Sequence, residues 1–207
     1  FKLFYNELGV VQFEKYYPES VTTPTGVETV KKGLENGVYE MSDGAVVFKA
    51  EKYGLHTRVF INSEGLPTYE AKDVGLIMQK WRDYNFDKSI IITGNDIQQY
   101  MKVVQKSIEQ FEPELVARSV HLTHGNLKLA GGKKMSSRKG TVLLALDVLE
   151  AAREAQAAQH DNANEPVVLG AVKYAFLSNR IGGDIVYDPE TSVSLHGNSG
   201  PYLQYAH

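Results

Sequence analysis

The sequence predicts an α/β fold: a parallel sheet with crossover helices, a small α+β segment before it and the start of an α-helical bundle after it. Three observations predict this. Ile90, Ile91 and Ile92 form a continuous apolar run, the pattern of a strand covered on both faces as parallel strands are. Ile97, Tyr100, Met101, Val104, Ile108 and Phe111 then recur at helical spacing before a strand read at 119–123, a strand, helix, strand order that closes by a right-handed crossover. Beyond residue 160 the recognisable signatures are helical.

With 207 residues, of which 43% are hydrophobic, the chain can bury one substantial core and carry parts of more than one domain. It contains no cysteine, which excludes disulfides and thiolate metal sites and accords with a cytoplasmic protein. No apolar run reaches the roughly 20 residues of a bilayer span, so no membrane contact is expected. A net charge of −3 exerts no global pull on nucleic acid, and any such contact must rest on local patches. Opening at Phe1 and stopping at His207 in a newly begun helix, the chain reads as a fragment.

In order, residues 46–48 and 58–61 read as strands, Asp43-Gly44 and residues 62–65 as hairpin turns, and residues 28–36 as a short helix ended by Asn36-Gly37. Residues 66–84 are a better-marked helix, begun at Pro67-Thr68 and carrying Val74, Ile77, Met78 and Trp81 on its core face. Tyr69 and Asp73 stand one turn apart on a neighbouring face. Such a pair is either an ordinary surface contact or a receptor for a cation. A guanidinium suits it best, because its planar fork meets a carboxylate through two parallel bonds.

Residues 93–96 turn the chain at the carboxyl end of the first sheet strand, where open α/β sheets bind ligands. Asp96 and Gln98 are therefore candidates to face a ligand, although an Asp at the start of a helix is more often its N-cap. His121 and His124 lie three apart in a strand and point to opposite faces, which argues against a shared metal. Residues 142–144 read as a returning strand and 145–159 as an alanine-rich helix. A polar break at 161–164 precedes a helix begun at Pro166, with Val168, Ala171, Val172 and Phe176 inward.

Residues 131–141, Gly-Gly-Lys-Lys-Met-Ser-Ser-Arg-Lys-Gly-Thr, concentrate cations in a glycine-rich turn. Glycine lets the backbone approach a ligand closely, and Lys133, Lys134, Arg138 and Lys139 supply donors for phosphate oxygens. The nearest acids are Glu114 and Asp147, so the loop is electropositive inside an acidic chain. A solvated lysine-rich hairpin is the alternative reading of these charges. A P-loop is excluded, because Gly132-Lys133 is followed by Lys134 rather than by Ser or Thr.

The string Lys134-Met135-Ser136-Ser137-Arg138 resembles the KMSKS signature of class I aminoacyl-tRNA synthetases, and its extension Lys139-Gly140-Thr141 is similar to the form in arginyl-tRNA synthetases. Residues 67–75, Pro-Thr-Tyr-Glu-Ala-Lys-Asp-Val-Gly, resemble that family's Tyr-x-x-x-Asp element. Residues 197–207, Gly-Asn-Ser-Gly-Pro-Tyr-Leu-Gln-Tyr-Ala-His, resemble its lead-in to the anticodon-binding bundle.

This resemblance implies a connecting segment over 1–66, the C-terminal half of a Rossmann-like class I catalytic domain over 67–160, and a linker with the start of the anticodon-binding helices over 161–207. It implies that a cytoplasmic monomer uses ATP, accompanied by Mg2+ and with no protein-bound metal, to convert arginine to an adenylate and then charge tRNA(Arg). Tyr69 and Asp73 would bind arginine, with Asp96 near them. Gly125, Asn126, Lys134 and Met135 would contact ATP, and Lys134, Ser136, Arg138 and Lys139 would act on the departing pyrophosphate. Ser137 replaces the second signature lysine, and Lys139 is the candidate to act in its place. No HIGH-like tetrapeptide occurs, so the chain alone is expected to be inactive. A different class I synthetase and a non-catalytic RNA-binding paralogue are the alternatives.

Overall fold

A computed structural model of the chain describes residues 2–11, 13–129, 144–160 and 163–207. The lysine loop at 131–141 and most of the strand expected at 142–144 lie outside them. In chain order the elements are α1 (Lys2–Glu7), α2 (Glu19–Glu35), β1 (Glu40–Ser42), β2 (Ala45–Phe48), β3 (Arg58–Ile61), α3 (Tyr69–Tyr84), β4 (Ser89–Gly94), α4 (Gln98–Glu109), α5 (Pro113–Ala117), β5 (Ser119–His124) and β6 (Leu127–Leu129). There follow α6 (Ala145–His160), α7 (Glu165–Leu177), β7 (Ile185–Tyr187), α8 (Pro189–Ser192) and α9 (Gly200–Ala206). They cluster into two compact units, residues 14–123 and residues 1–13 with 124–207.

In the unit of residues 14–123, β1, β2 and β3 form an antiparallel sheet. The β1–β2 turn puts Asp43 at φ 47° and Gly44 at φ 78°, both positive as a two-residue hairpin turn of matching twist requires. The expected strand, helix, strand unit is present as β4 and β5, paired with each other and joined through α4 and α5, but Ile90 and Ile92 are 53% and 67% exposed, so β4 is not covered on both faces as its apolar run suggested. Tyr39, Phe48 and Phe60 are buried together with Val30, Val74 and Ile108. The Tyr39 hydroxyl reaches Ser107 Oγ at 3.1 Å, so burial of its ring leaves no orphaned donor.

Helix α2 corrects the short helix expected at 28–36. It starts at Glu19 and runs through Pro24, a residue that from sequence argues for a break. Tertiary contact overrides that local cost. The helix lies backbone to backbone against α3 at a pair of glycines. A Cβ on Gly26 would sit 1.9 Å from the Ala71 carbonyl oxygen, and one on Gly75 would sit 2.2 Å from that of Thr22. The opposite end matches the expectation, with the Val38 N–H closing on the Gly33 carbonyl at 2.8 Å after Gly37 turns the chain.

In the other unit, β6 and β7 pair in parallel, and Val148, Leu149, Val168, Val172, Tyr187 and Val193 make the core. Arg153 of α6 gathers Glu7, Glu150 and Glu165 within 2.7–3.1 Å, tying α1 and α7 to α6. Helix α9 begins at Gly200: Ser199 caps it by accepting the Tyr202 N–H at 3.2 Å, and Pro201 occupies its first turn. Among the described residues no helix is long and apolar enough to cross a membrane.

Candidate functional site

Helix α3 positions the first candidate residues. Thr68 precedes it but does not cap it; its hydroxyl donates to the carbonyls of Val59 and Phe60 at 2.7 and 3.1 Å, tethering the start of α3 to β3. Ala71, Val74, Ile77 and Met78 then turn into the core, while Ala71 and Gly75 lie against α2. Tyr69, left outside the buried stripe, is 68% exposed. The Lys72 ammonium stands 4.9 Å from the centre of its ring and pairs with Glu19 at 2.7 Å.

Asp73 is half-buried at a cavity of about 340 Å³, whose walls are otherwise mainly Ile77, Ile91, Ile97 and Met101, with Lys80 and Thr93 among its few polar groups. Burial in this apolar setting raises the Asp73 pKa above the ordinary carboxylate value, and the charges of Glu70 and Glu19 add to the rise. The Tyr100 hydroxyl opposes it by donating to Asp73 Oδ2 at 2.5 Å. A carboxylate short of solvent and of countercharge is a strong receptor for an incoming cation. Lys80 does not fill that role: its Nζ donates to Ser89 Oγ at 3.2 Å, and burial lowers its pKa.

Behind the pair lies a group that sequence reasoning misses. Glu70, 8% exposed, accepts from Arg58 Nη1 at 3.1 Å, and the Arg58 guanidinium carbon lies 5.2 Å from the centre of the Tyr100 ring. In the sequence Tyr100 presents itself only as one of the apolar residues of α4. The available signal is its hydroxyl, because a tyrosine within an aliphatic stripe must bring its O–H to a partner.

Asp96 occupies a single 3₁₀ turn at Asn95–Ile97, exposed, with Oδ1 close over Gly94. It caps neither that turn nor α4, so the N-cap alternative is not realised. The neighbour that turns into the Asp73 cavity is Ile97, whereas Asp96 and Gln98 do not line it. At the edge of the same sheet, Thr93 Oγ1 meets His121 Nε2 at 2.8 Å.

Gly125 and Asn126 belong to the other unit. A Cβ on Gly125 would lie 2.2 Å from the Gly183 carbonyl oxygen, so packing alone demands glycine there. The backbone of Asn126 is engaged at both ends: its N–H donates to Asp184 Oδ1 at 2.8 Å and its carbonyl accepts from Ile185 at 3.0 Å. Its side chain is exposed. Lys134, Met135, Ser136, Arg138 and Lys139 lie outside the described residues.

Residues 1–188 match the family described as "tRNA synthetases class I (R), catalytic domain". Among curated relatives, the arginine–tRNA ligase of Treponema denticola is 33% identical over 214 residues, covering 97% of this chain and 36% of that protein. That of Porphyromonas gingivalis is 30% identical over 222 residues, covering 100% and 37%. The chain thus spans little more than a third of the length of these relatives. Two solved structures share the fold. The arginyl-tRNA synthetase of Plasmodium falciparum matches with a TM-score of 0.77 at 17% identity over 99% of this chain and 36% of that one. That of Thermus thermophilus matches with a TM-score of 0.74 at 20% identity over 99% and 42%. Helix α3, which carries Tyr69 and Asp73, and the β4–β5 strands thus sit in a chain that belongs to the class I tRNA synthetase (R) catalytic-domain family.

Proposed function

We propose that this chain is part of an arginine–tRNA ligase and that Asp73, with Tyr69 one turn before it on α3, receives the guanidinium of arginine. The observation that carries the reading is the half-buried Asp73 carboxylate, which has no cationic partner among the described residues and faces a mainly apolar cavity. Such a site takes a permanent cation at the end of an aliphatic stem. Relatives named arginine–tRNA ligase align over nearly the whole chain and support the same substrate. Asp96 is assigned to the rim of this site at the end of β4.

In the first half-reaction the arginine carboxylate attacks the α-phosphorus of ATP, which enters as its magnesium complex; the new C–O–P linkage forms as the bond to pyrophosphate breaks. The terminal ribose of tRNA(Arg) then takes the arginyl group and AMP leaves. Lys134, with Ser136, Arg138 and Lys139, is assigned to the charge that builds on the pyrophosphate, where a donor helps only as charge develops. Gly125, Asn126 and Met135 are assigned to the nucleotide, Asn126 through its exposed side chain. On this reading 1–66 is a connecting segment, 67–160 is catalytic and 161–207 leads into the tRNA-binding helices. The ligase works as a monomer in the cytoplasm, where its tRNA is.

Arginine added to the chain is expected to raise its melting temperature, with lysine at equal concentration giving no shift; equal shifts would remove the guanidinium assignment. In the full-length ligase, Lys134→Ala should lower the rate of arginine-dependent ATP–pyrophosphate exchange by about a hundredfold or more, as loss of one such donor does. Arginine affinity should hold. A pure arginine-binding defect would count against that role.

A further inference from the structure

We propose that Tyr100 is a positioning residue for amino-acid recognition: clamped beneath Arg58, it holds the Asp73 carboxylate in place for the guanidinium, an inference that rests on the arginine reading above. The geometry is a chain of contacts from the sheet to the cavity. Arg58 leaves β3 and is fixed by Glu70, a buried carboxylate that satisfies its charge at 3.1 Å. From there its guanidinium covers the Tyr100 ring at 5.2 Å, where the electron-rich face of the ring favours a cation. The ring is thereby held from one side, and its hydroxyl donates to Asp73 Oδ2 at 2.5 Å.

This arrangement does two things for a guanidinium receptor. An aspartate without such a partner has freedom about its side-chain bonds, and a fork-shaped ligand needs both carboxylate oxygens held in its own plane. The Tyr100 hydroxyl occupies one of the roughly four lone-pair positions of the carboxylate and, among the described residues, leaves the rest, including Oδ1, for the ligand. It also favours the ionised form, which burial and the nearby carboxylates disfavour. The groups that bear on Asp73 are Tyr100 from α4, Glu70 from its own helix and Glu19 from α2; Lys80 lines the same cavity and Arg58 acts through Tyr100. Of these contacts only the Tyr100 hydrogen bond pulls the Asp73 pKa down, so removing it moves the loss of the carboxylate to higher pH.

The test is a double-mutant cycle in the full-length ligase, read by arginine-dependent ATP–pyrophosphate exchange across pH. Tyr100→Phe keeps the ring beneath Arg58 and deletes only the hydroxyl. KM for arginine should rise roughly ten- to a hundredfold, the range for losing a hydrogen bond to a charged group. KM for ATP and kcat at saturating arginine should stay within about twofold, since neither uses this contact. The acid limb of kcat/KM for arginine should move to higher pH. In an Asp73→Asn background the same change should have little further effect, because both act through one carboxylate.

Arg58→Met is a second arm: it leaves the hydroxyl but frees the ring, and a smaller rise in KM for arginine is expected with no change for ATP. An unchanged KM for arginine in Tyr100→Phe, equal losses for arginine and ATP, or a full effect retained in the Asp73→Asn background each overturns the role of Tyr100. If instead Asp73→Asn itself leaves KM for arginine unchanged, the arginine site has been misplaced, and that result is distinct from failure of the positioning role alone.

Discussion

Asp73→Ala is expected to weaken arginine by about 2–5 kcal/mol, the cost of removing one partner of a desolvated charge pair, which is roughly thirtyfold to several thousandfold in affinity. ATP should bind as before. The size follows from the surroundings, for an exposed ion pair contributes only about 0–1 kcal/mol. Asp73 is half-buried among isoleucines, and no basic side chain among the described residues neutralises it. On the proposed reading, an arriving guanidinium would therefore meet a carboxylate that water screens poorly. Isothermal titration of the full-length ligase with arginine and, separately, with ATP decides the matter; equal losses for both would show that the substitution disturbs the fold rather than a substrate contact.

Gly75→Ala should destabilise the unit of residues 14–123 by about 3 kcal/mol, near the upper end for overpacking, because the atoms in the way are backbone and cannot rotate aside. The added methyl would come within 2.2 Å of the Thr22 carbonyl oxygen and 2.7 Å of the Gly26 nitrogen. Thermal unfolding should fall by roughly 10 °C or more for a unit of this size. Gly37→Ala is the control for general loss of a glycine: nothing lies within 4 Å of its Cβ position, so only its φ of 74° is strained. A larger loss at Gly37 than at Gly75 would refute close helix packing as the reason for the Gly26–Gly75 pair. The consequence reaches function, because the helix that this crossing seats is the one that carries Tyr69 and Asp73.

How much of this is legible in the sequence varies with the range of the interaction. Helix α3 is marked by its own periodicity, and the α7 start by Pro166, since proline geometry acts within one turn. The isoleucine run marks β4 as a strand, but not its cover, since Ile90 and Ile92 are exposed among the described residues. Only the last half of helix α2 is legible, because Pro24 speaks locally against a helix and the glycine crossing that favours it joins residues about fifty apart in sequence. At the site, spacing places Tyr69 and Asp73 a turn apart, but their environments differ, one largely exposed and the other half-buried.

Residue order, then, was sufficient for most element types and for the family through three short strings, and it placed Tyr69 and Asp73 one turn apart on α3. It could not supply Tyr100, Arg58 and Glu70 as neighbours of Asp73, nor turn Ile97 rather than Asp96 toward the cavity. Periodicity and capping are written in contiguous residues. The surroundings of a carboxylate are assembled from α3, α4 and β3, and the depth at which it is buried, which sets both its proton affinity and its appetite for a cation, exists only once those segments have packed.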